Sequence, residues 1–192
     1  MSLNRDHVPV PSTVYRLIPI RRFLPLILIV VIAPSLTIDF AKAQTVTVVS
    51  VCFSPNGNCG ATVAYWISRA NSTIHIEIYD FTLNQISDAL VNASRANPRL
   101  SIEIVWDDSM AHGKGSEYNV LLGAGISIHL DKRSGVMHDK VAIIDDHIVL
   151  TGSFNWSNEA NQVNRENLIV IDSTAIAALY EADFQQNYAA TA

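Results

Sequence analysis

A histidine and a lysine two residues apart, His138 and Lys140, lie in the segment GVMHDKVAIIDDHIVLTGSFNW, residues 135–156. The apolar and β-branched residues around them predict a strand, and side chains two apart on a strand point to the same face. An imidazole can attack phosphorus or transfer a proton near neutral pH, and an ammonium group neutralises the non-bridging oxygens of a phosphate. The pair therefore predicts phosphoryl chemistry.

Polar residues downstream extend this prediction. In the turn TGSFNW, Gly152 would let the backbone approach a ligand, and Ser153 and Asn155 would supply neutral hydrogen-bond donors. Glu166, in VNRENLIVI, is predicted to hold the other ring nitrogen of a histidine and so to fix its tautomer.

Asp145 is expected to have a different task. It lies five residues after Lys140, which gives it the opposite strand parity, and it belongs to the predicted turn IDDH, where a carboxylate braces the backbone. Asp145, Asp146 and His147 leave a metallohydrolase open as a weak alternative, although adjacent residues of one turn converge poorly on a metal ion.

The ordered set resembles the signature of the phospholipase D superfamily, which is His-x-Lys, four residues, Asp, a Gly-Ser or Gly-Gly turn and a downstream acidic residue. Here these residues are His138, Lys140, Asp145, Gly152, Ser153, Asn155 and Glu166. Within the superfamily the chain most resembles the small exported nucleases with a single motif. The resemblance extends over residues 46–188, through FSPNG at 53–57 and IYDFT at 78–82, and is strongest over 136–171.

The resemblance implies hydrolysis of a phosphodiester through a phosphohistidine, with no metal or other cofactor. One histidine attacks phosphorus and a second protonates the leaving oxygen, so two histidines are needed. A nuclease is the leading hypothesis. A phospholipase D acting on phosphatidyl head groups is the first alternative, and an inactive phosphate-binding module is the next.

A second motif in the same chain is not evident. His112 and Lys114 have the right spacing, but Asn119 occupies the aspartate position and the segment AHGKGSEYN reads as a glycine-flanked loop. That loop could still line a substrate cleft. The second histidine is therefore expected from a second subunit, which predicts a homodimer with a shared site.

The first 43 residues read as an export signal. Arginines precede the short apolar run FLPLILIVVIAPSLTI, and AKA at 41–43 fits a signal-peptidase site, which predicts cleavage after Ala43 and a periplasmic or secreted domain over 44–192. An uncleaved membrane anchor is the alternative, although the run is shorter than the roughly 20 apolar residues that span a bilayer.

The predicted cleavage after Ala43 would change the net charge of the protein. The chain has 13 Lys+Arg and 18 Asp+Glu; without the leader 8 and 16 remain, a net charge of -8. This acidity argues mildly against tight polyanion binding, so any phosphate site must be local. Its candidate cations lie in the motif half and are Lys114, Lys132, Arg133, Lys140 and Arg165.

The two cysteines, Cys52 and Cys59, both lie in the part of the chain that is predicted to be exported. An oxidising compartment would let them form a disulfide, whereas two buried free thiols are the alternative.

Alternating strand and helix patterns predict the fold. Strands are expected at 46–53, 73–81, 99–108, 126–131, 136–145, 147–152 and 167–172, and helices at 60–72, 83–96, 116–125 and 173–188. This order predicts a single α/β sandwich with a central mixed sheet flanked by helices.

Overall fold

The computed structural model describes residues 45–191. The predicted export signal, residues 1–43, lies outside the described residues. Within residues 45–191 no helix combines the length and apolar composition needed to cross a bilayer.

Residues 45–191 contain seven strands and six helices. The strands are β1 (Thr47–Phe53), β2 (Thr73–Ile78), β3 (Ser101–Asp107), β4 (Ser127–Asp131), β5 (Lys140–Ile144), β6 (Ile148–Gly152) and β7 (Asn167–Asp172). The helices are α1 (Cys59–Ile67), α2 (Asn84–Ala96), α3 (Asp108–Ala111), α4 (Tyr118–Gly123), α5 (Asn158–Gln162) and α6 (Thr174–Ala190).

All seven strands form one mixed sheet in the order β1-β7-β6-β5-β2-β3-β4. β2, β3 and β4 pair in parallel, whereas β5, β6, β7 and β1 continue the sheet through antiparallel pairs. β1 and β2 follow each other in the chain, yet three strands separate them in the sheet. Strand neighbours therefore could not be inferred from chain order alone.

The two faces of the sheet are covered unequally. On one face the larger core includes residues of α1, α2, α4 and α5, with Phe81, Trp106, Phe154 and Trp156 fully or almost fully buried. On the other face α6 packs alone, and its Ala177 and Phe184 cover apolar residues of β3, β5 and β6. Three layers result, which confirms the predicted α/β sandwich.

Cys52 of β1 and Cys59 of α1 form a disulfide with a Cα–Cα distance of 5.7 Å. This bond ties the first helix to the edge strand across the turn between them. Two of the short helices, α3 and α5, were not predicted from the sequence. Each begins after a side-chain cap, with Asp107 accepting from the Ser109 N–H and Ser157 accepting from the Ala160 N–H.

Candidate active site

Strand direction brings the motif residues other than Asp145 to one end of the sheet. Because β5 is antiparallel to β2, and β7 to β6, the first residues of β5 and β7 meet the last residues of β2 and β6. Lys140 pairs with Ile78, and Leu168 pairs with Gly152. We call this end, where β2 and β6 finish, the site end of the sheet.

His138 and Lys140 meet around Tyr79, the residue after β2. The rings of Tyr79 and His138 have centroids 4.8 Å apart, and the Lys140 Nζ atom lies 5.1 Å from the Tyr79 ring centroid. Lys140 also donates from Nζ to the His138 carbonyl oxygen over 2.5 Å. The imidazole is exposed, whereas Lys140 is 6% exposed, so an incoming phosphate would meet the imidazole first with the ammonium group behind it.

The sequence predicted that strand geometry would bring His138 and Lys140 to one face, but the structure brings them together in another way. β5 begins at Lys140, so His138 precedes the strand and the predicted strand start at 136 is wrong. The reason is that β2 ends at Ile78, opposite Lys140, and offers no partner for residues 136–139. Packing on Tyr79, rather than strand parity, brings the two side chains together.

Burial lowers the pKa of Lys140, and the carboxylates of Asp139, Glu166 and Asp80 act in the opposite direction. These three acidic groups therefore favour the charged ammonium form. A lysine that is buried and surrounded by carboxylates can neutralise a phosphate because it loses little water on binding.

Ser153 and Glu166 form the second part of the site. Ser153 Oγ donates to Glu166 Oε2 over 2.5 Å and accepts the backbone N–H of Asn167 over 3.1 Å. Ser54, at the end of the β1 segment, holds Glu166 from behind through its hydroxyl, which accepts the Glu166 N–H over 3.2 Å. The Glu166 carboxylate thus binds Ser153, and no hydrogen bond joins it to His138 among residues 45–191.

Gly152 and Asn155 frame the turn after β6. Gly152 has φ 149°, and a Cβ atom there would collide with the backbone carbonyl of Asn167, so a glycine is required at this position. The Oδ1 atom of Asn155 is buried without a hydrogen-bond donor among the described residues. An unsatisfied acceptor of this kind is unfavourable unless another group completes it.

Asp145 lies at the opposite end of β5, in a turn where Asp145 and Asp146 both have positive φ, 51° and 58°. Its carboxylate accepts the backbone N–H groups of Asn71, Ser72 and Thr73. Burial alone would raise the pKa of Asp145, but these hydrogen bonds outweigh it and lower the pKa to about 2. The structure thus separates Asp145 from the other motif residues and joins it to the start of β2.

A cleft of about 810 Å³ opens beside the site end. Asp80, which follows Tyr79, lines it together with Lys114, Glu159 and Val163. The loop with the second His-x-Lys spacing therefore contributes Lys114 to the cleft. His112 instead packs edge-on against Tyr118, with ring centroids 5.1 Å apart.

The candidate cations divide between the site and other surfaces. Arg165 lines a pocket with Glu166 at the site end, next to the motif. The Arg133 Nη2 atom lies 2.6 Å from Asp131 Oδ2, and the Lys132 Nζ atom lies 3.8 Å from Asp108 Oδ1. The local positive charge is thus supplied by Lys140, Arg165 and Lys114, with acidic residues close by.

Tyr79 and Asp80 were not assigned a role from the sequence. The signal was present in the segment IYDFT, because two polar residues directly follow a buried strand. Tyr79 contacts both His138 and Lys140 because β5 pairs with β2.

The fold and this arrangement define a phospholipase D-like protein, and comparison with known proteins agrees. Residues 64–188 match the family described as cardiolipin synthase, PLD-like domain. The chain belongs to this family, which confirms the resemblance seen in the sequence.

Among the solved structures that are similar over most of the chain are two bacterial proteins. Nuc from Salmonella typhimurium, described as a phospholipase D family member, is 31% identical with a TM-score of 0.70, covering 75% of this chain and 95% of that one. NucT from Helicobacter pylori is 29% identical with a TM-score of 0.67, covering 77% and 98%.

Curated relatives include proteins named phospholipase D and mitochondrial cardiolipin hydrolase. A phospholipase D of Rickettsia felis is 36% identical over 132 residues, 69% of this chain and 65% of the relative. A mitochondrial cardiolipin hydrolase of Xenopus laevis is 32% identical over 117 residues, 61% of this chain and 55% of the relative. The aligned part thus spans under two thirds of these relatives.

Proposed function

We propose that this protein is a metal-independent phosphodiester hydrolase, that it acts through a phosphohistidine, and that its substrate is a nucleic acid. The observation that carries the proposal is the exposed imidazole of His138, which is held on Tyr79 above the buried ammonium group of Lys140. A nucleophile and a cation on one side of a phosphate are what such a displacement requires.

The reaction would proceed in two steps. A ring nitrogen of His138 bonds to phosphorus while the bond from phosphorus to the leaving oxygen breaks, and an equivalent histidine of a second subunit gives that oxygen a proton. Water then loses a proton to the second histidine and attacks phosphorus, which breaks the phosphorus–nitrogen bond and restores His138. Lys140 neutralises the non-bridging oxygens throughout.

A homodimer forms part of the proposal because the described part of one chain, residues 45–191, offers a single suitable histidine at this end of the sheet. The other His-x-Lys spacing lies in a loop, where His112 packs on Tyr118. A two-fold axis passing near His138 would bring two copies to one phosphate.

The preference for nucleic acid rests on the resemblance to small single-motif nucleases and on chain size. The chain covers 95% of Nuc and 98% of NucT, so little of either protein lacks a counterpart here. Arg165 and Lys114 flank the site and could contact phosphates on either side of the cleaved one.

A phospholipase is the second candidate. The observation in its favour is that similar proteins are named phospholipase D and mitochondrial cardiolipin hydrolase, at 36% and 32% identity. The chemistry would be the same, and only the group attached to the phosphate would differ.

Export is a further part of the proposal, with cleavage after Ala43. The N-terminal sequence of the protein recovered from periplasm or medium tests it. A chain that stays in the membrane fraction and begins at Met1 would contradict cleavage.

The function is tested with DNA, RNA and phosphatidylcholine, each incubated with the protein in excess EDTA. We expect turnover of DNA or RNA, and a loss of about a thousandfold or more in kcat for His138→Ala. His112→Ala is the matched control, because it removes the histidine of the other His-x-Lys spacing, and it should keep wild-type turnover.

Three results would overturn parts of this proposal. Unchanged activity in His138→Ala would refute the phosphohistidine step, and complete inhibition by EDTA would refute metal independence. Turnover of phosphatidylcholine without turnover of DNA or RNA would replace the nuclease by the phospholipase.

A further inference from the structure

Ser54 is a buried serine at an exposed edge of the molecule. It follows β1, the outermost strand of the sheet. The last residue of β1, Phe53, is 65% exposed, whereas Ser54 is only 5% exposed. A polar side chain that is buried in this way is normally held by hydrogen bonds, so its partners show which part of the structure it supports.

The partners of Ser54 are the residues around Glu166. Its hydroxyl donates to the Asn164 carbonyl oxygen over 3.0 Å and accepts the Glu166 N–H over 3.2 Å. Its own N–H donates to the Glu166 carbonyl oxygen over 3.2 Å. These bonds extend the pairing of β1 with β7 beyond Phe53 and Asn167. One residue therefore fixes the backbone from which the Glu166 side chain enters the site.

The position of Glu166 affects two groups of the site. Its Oε2 atom accepts the Ser153 hydroxyl over 2.5 Å. Burial lowers the pKa of Lys140, and the Glu166 carboxylate acts in the opposite direction, as do Asp139 and Asp80. A displacement of Glu166 would thus release the Ser153 hydroxyl and weaken the preference of Lys140 for its charged form.

The disulfide between Cys52 and Cys59 closes a loop around Ser54. We call residues 52–59 the disulfide loop. Cys52 lies on β1 and pairs with Leu168 of β7, and Cys59 begins α1 and is fully buried in the larger core. The covalent bond therefore anchors the loop on both sides of Ser54, and a short closed loop has few alternative conformations.

We infer that Ser54 is a positioning residue for the reaction and that the Cys52–Cys59 disulfide keeps it in place, so that turnover depends on the disulfide. Ser54 acts through Glu166 rather than on the substrate. The inference rests on the proposed function, because it names a support of the proposed active site.

Reduction of the disulfide would remove the anchor of the loop. A dithiol reductant gives two electrons and two protons to the disulfide, which breaks the bond between the two sulfur atoms and leaves two thiols, while the reductant is oxidised to its own disulfide. Cys52 and Cys59 are then joined only through the chain, and Ser54 is free to leave Glu166.

Ser173 provides a control for a purely structural role. It is also a buried serine, 3% exposed, and its hydroxyl accepts the Ile176 N–H at the start of α6. It follows β7, at the end of the sheet opposite the site end. Ser173→Ala should lower the melting temperature, because a helix cap is lost, without changing kcat.

The first test measures turnover of DNA in excess EDTA by the full chain, well below the melting temperature of each variant. We expect Ser54→Ala to lower kcat at least about tenfold and to change KM less than about threefold. The alkaline limb of its pH profile should move to lower pH, because Lys140 loses support from Glu166, whereas the profile of Ser173→Ala should not move. A wild-type kcat and pH profile in Ser54→Ala would overturn the inference.

A double-mutant cycle shows whether Ser54 acts through Glu166. Ser54→Ala should cause no further loss of kcat in a Glu166→Gln background, because the carboxylate that it positions is already absent. A loss as large as that in the wild-type background would show that Ser54 acts independently of Glu166 and would overturn the positioning role.

The disulfide is tested with dithiothreitol. Complete reduction, verified by titration of two thiols per chain, should lower the kcat of the wild type, and reoxidation should restore it. The same reagent should not affect the kcat of Ser173→Ala once that variant also carries Cys52→Ser and Cys59→Ser. An unchanged kcat in fully reduced wild type would overturn the dependence on the disulfide.

Hydrogen exchange separates this inference from the proposed function, because it needs no substrate. The Asn167 N–H binds Ser153 rather than Ser54, and we expect it to exchange at least about tenfold faster in Ser54→Ala and in reduced wild type, but not in Ser173→Ala. This result in a protein that hydrolyses neither DNA, RNA nor lipid would support the link from the disulfide to Glu166 and refute the proposed function. Unchanged exchange in an active protein would overturn the link and leave the proposed function standing.

Discussion

Replacing Asp145 by asparagine should weaken the fold without changing the chemistry. The carboxylate accepts the N–H groups of Asn71, Ser72 and Thr73 at 2.9, 2.7 and 3.1 Å, and also the Ser72 hydroxyl at 2.8 Å. An amide keeps one acceptor oxygen and turns an N–H₂ group toward these donors. The loss therefore falls on the junction between the β5–β6 turn and the start of β2.

The magnitude follows from the pKa of this carboxyl group. Its hydrogen bonds lower the pKa from the ordinary value of 3.8 to about 2 despite partial burial, which corresponds to about 2.4 kcal/mol of stability at neutral pH. Solvent reaches part of the group and screens it, so we expect Asp145→Asn to lower the free energy of unfolding by about 1–2 kcal/mol.

The sign of the pH dependence follows in the same way. A lowered pKa in the folded state gives stability that is fully present above the unfolded pKa and is lost as the pH falls toward about 2. The difference between wild type and Asp145→Asn should thus be constant from pH 7 to 5 and fall to roughly half at pH 3.

Urea unfolding at pH 7, 5 and 3 measures these differences. Asp146→Asn is the matched control, since it lies in the same turn, also has a positive φ, and is exposed. Asparagine tolerates that backbone conformation, so the control should be within about 0.5 kcal/mol of wild type. Equal effects of the two substitutions would refute the reasoning from hydrogen bonds. A fall in kcat for folded Asp145→Asn, measured well below its melting temperature, would show that Asp145 takes part in the chemistry.

Three further predictions concern the site end and its supports. Gly152→Ala should lower the melting temperature and the activity, because its Cβ would collide with the backbone carbonyl of Asn167 at the start of β7, while Gly123→Ala on α4, where a Cβ meets nothing within 4 Å, should do neither. Burial raises the pKa of Glu77 to about 7, so the folded state holds a proton that the unfolded chain releases, and stability should fall as the pH rises from about 4.5 through 7. Glu77→Gln, which retains an acceptor for Asn187, should therefore raise the melting temperature at pH 8 and leave it nearly unchanged at pH 4.5. Lys140→Met should preserve the fold, because the side chain is buried, and reduce kcat at least about a hundredfold; a variant with wild-type kcat would remove Lys140 from the mechanism.

Local patterns were sufficient for the elements that have strong periodicity. The seven strands and the four longer helical segments were predicted near their observed places, because alternation and helical spacing are properties of neighbouring residues. The short helices α3 and α5 were not predicted, because four or five residues show too little helical periodicity. Their caps, Asp107 and Ser157, are single side chains.

For the candidate active site, the sequence predicted the residues but not the contacts between them. His138, Lys140, Ser153 and Glu166 could be selected from residue type, order and spacing. Their contacts could not, because Ser153 binds Glu166 only through the pairing of β6 with β7.

The sequence by itself determined the family, the three-layer class of fold and the residues that carry the motif, since all of these depend on residue identity along the chain. The tertiary structure alone decided that Tyr79 unites His138 with Lys140, that Asp145 braces the start of β2, and that α6 packs over β5 and β6. Each of these depends on which strands become neighbours, and that is set by long-range pairing across the sheet rather than by any local stretch.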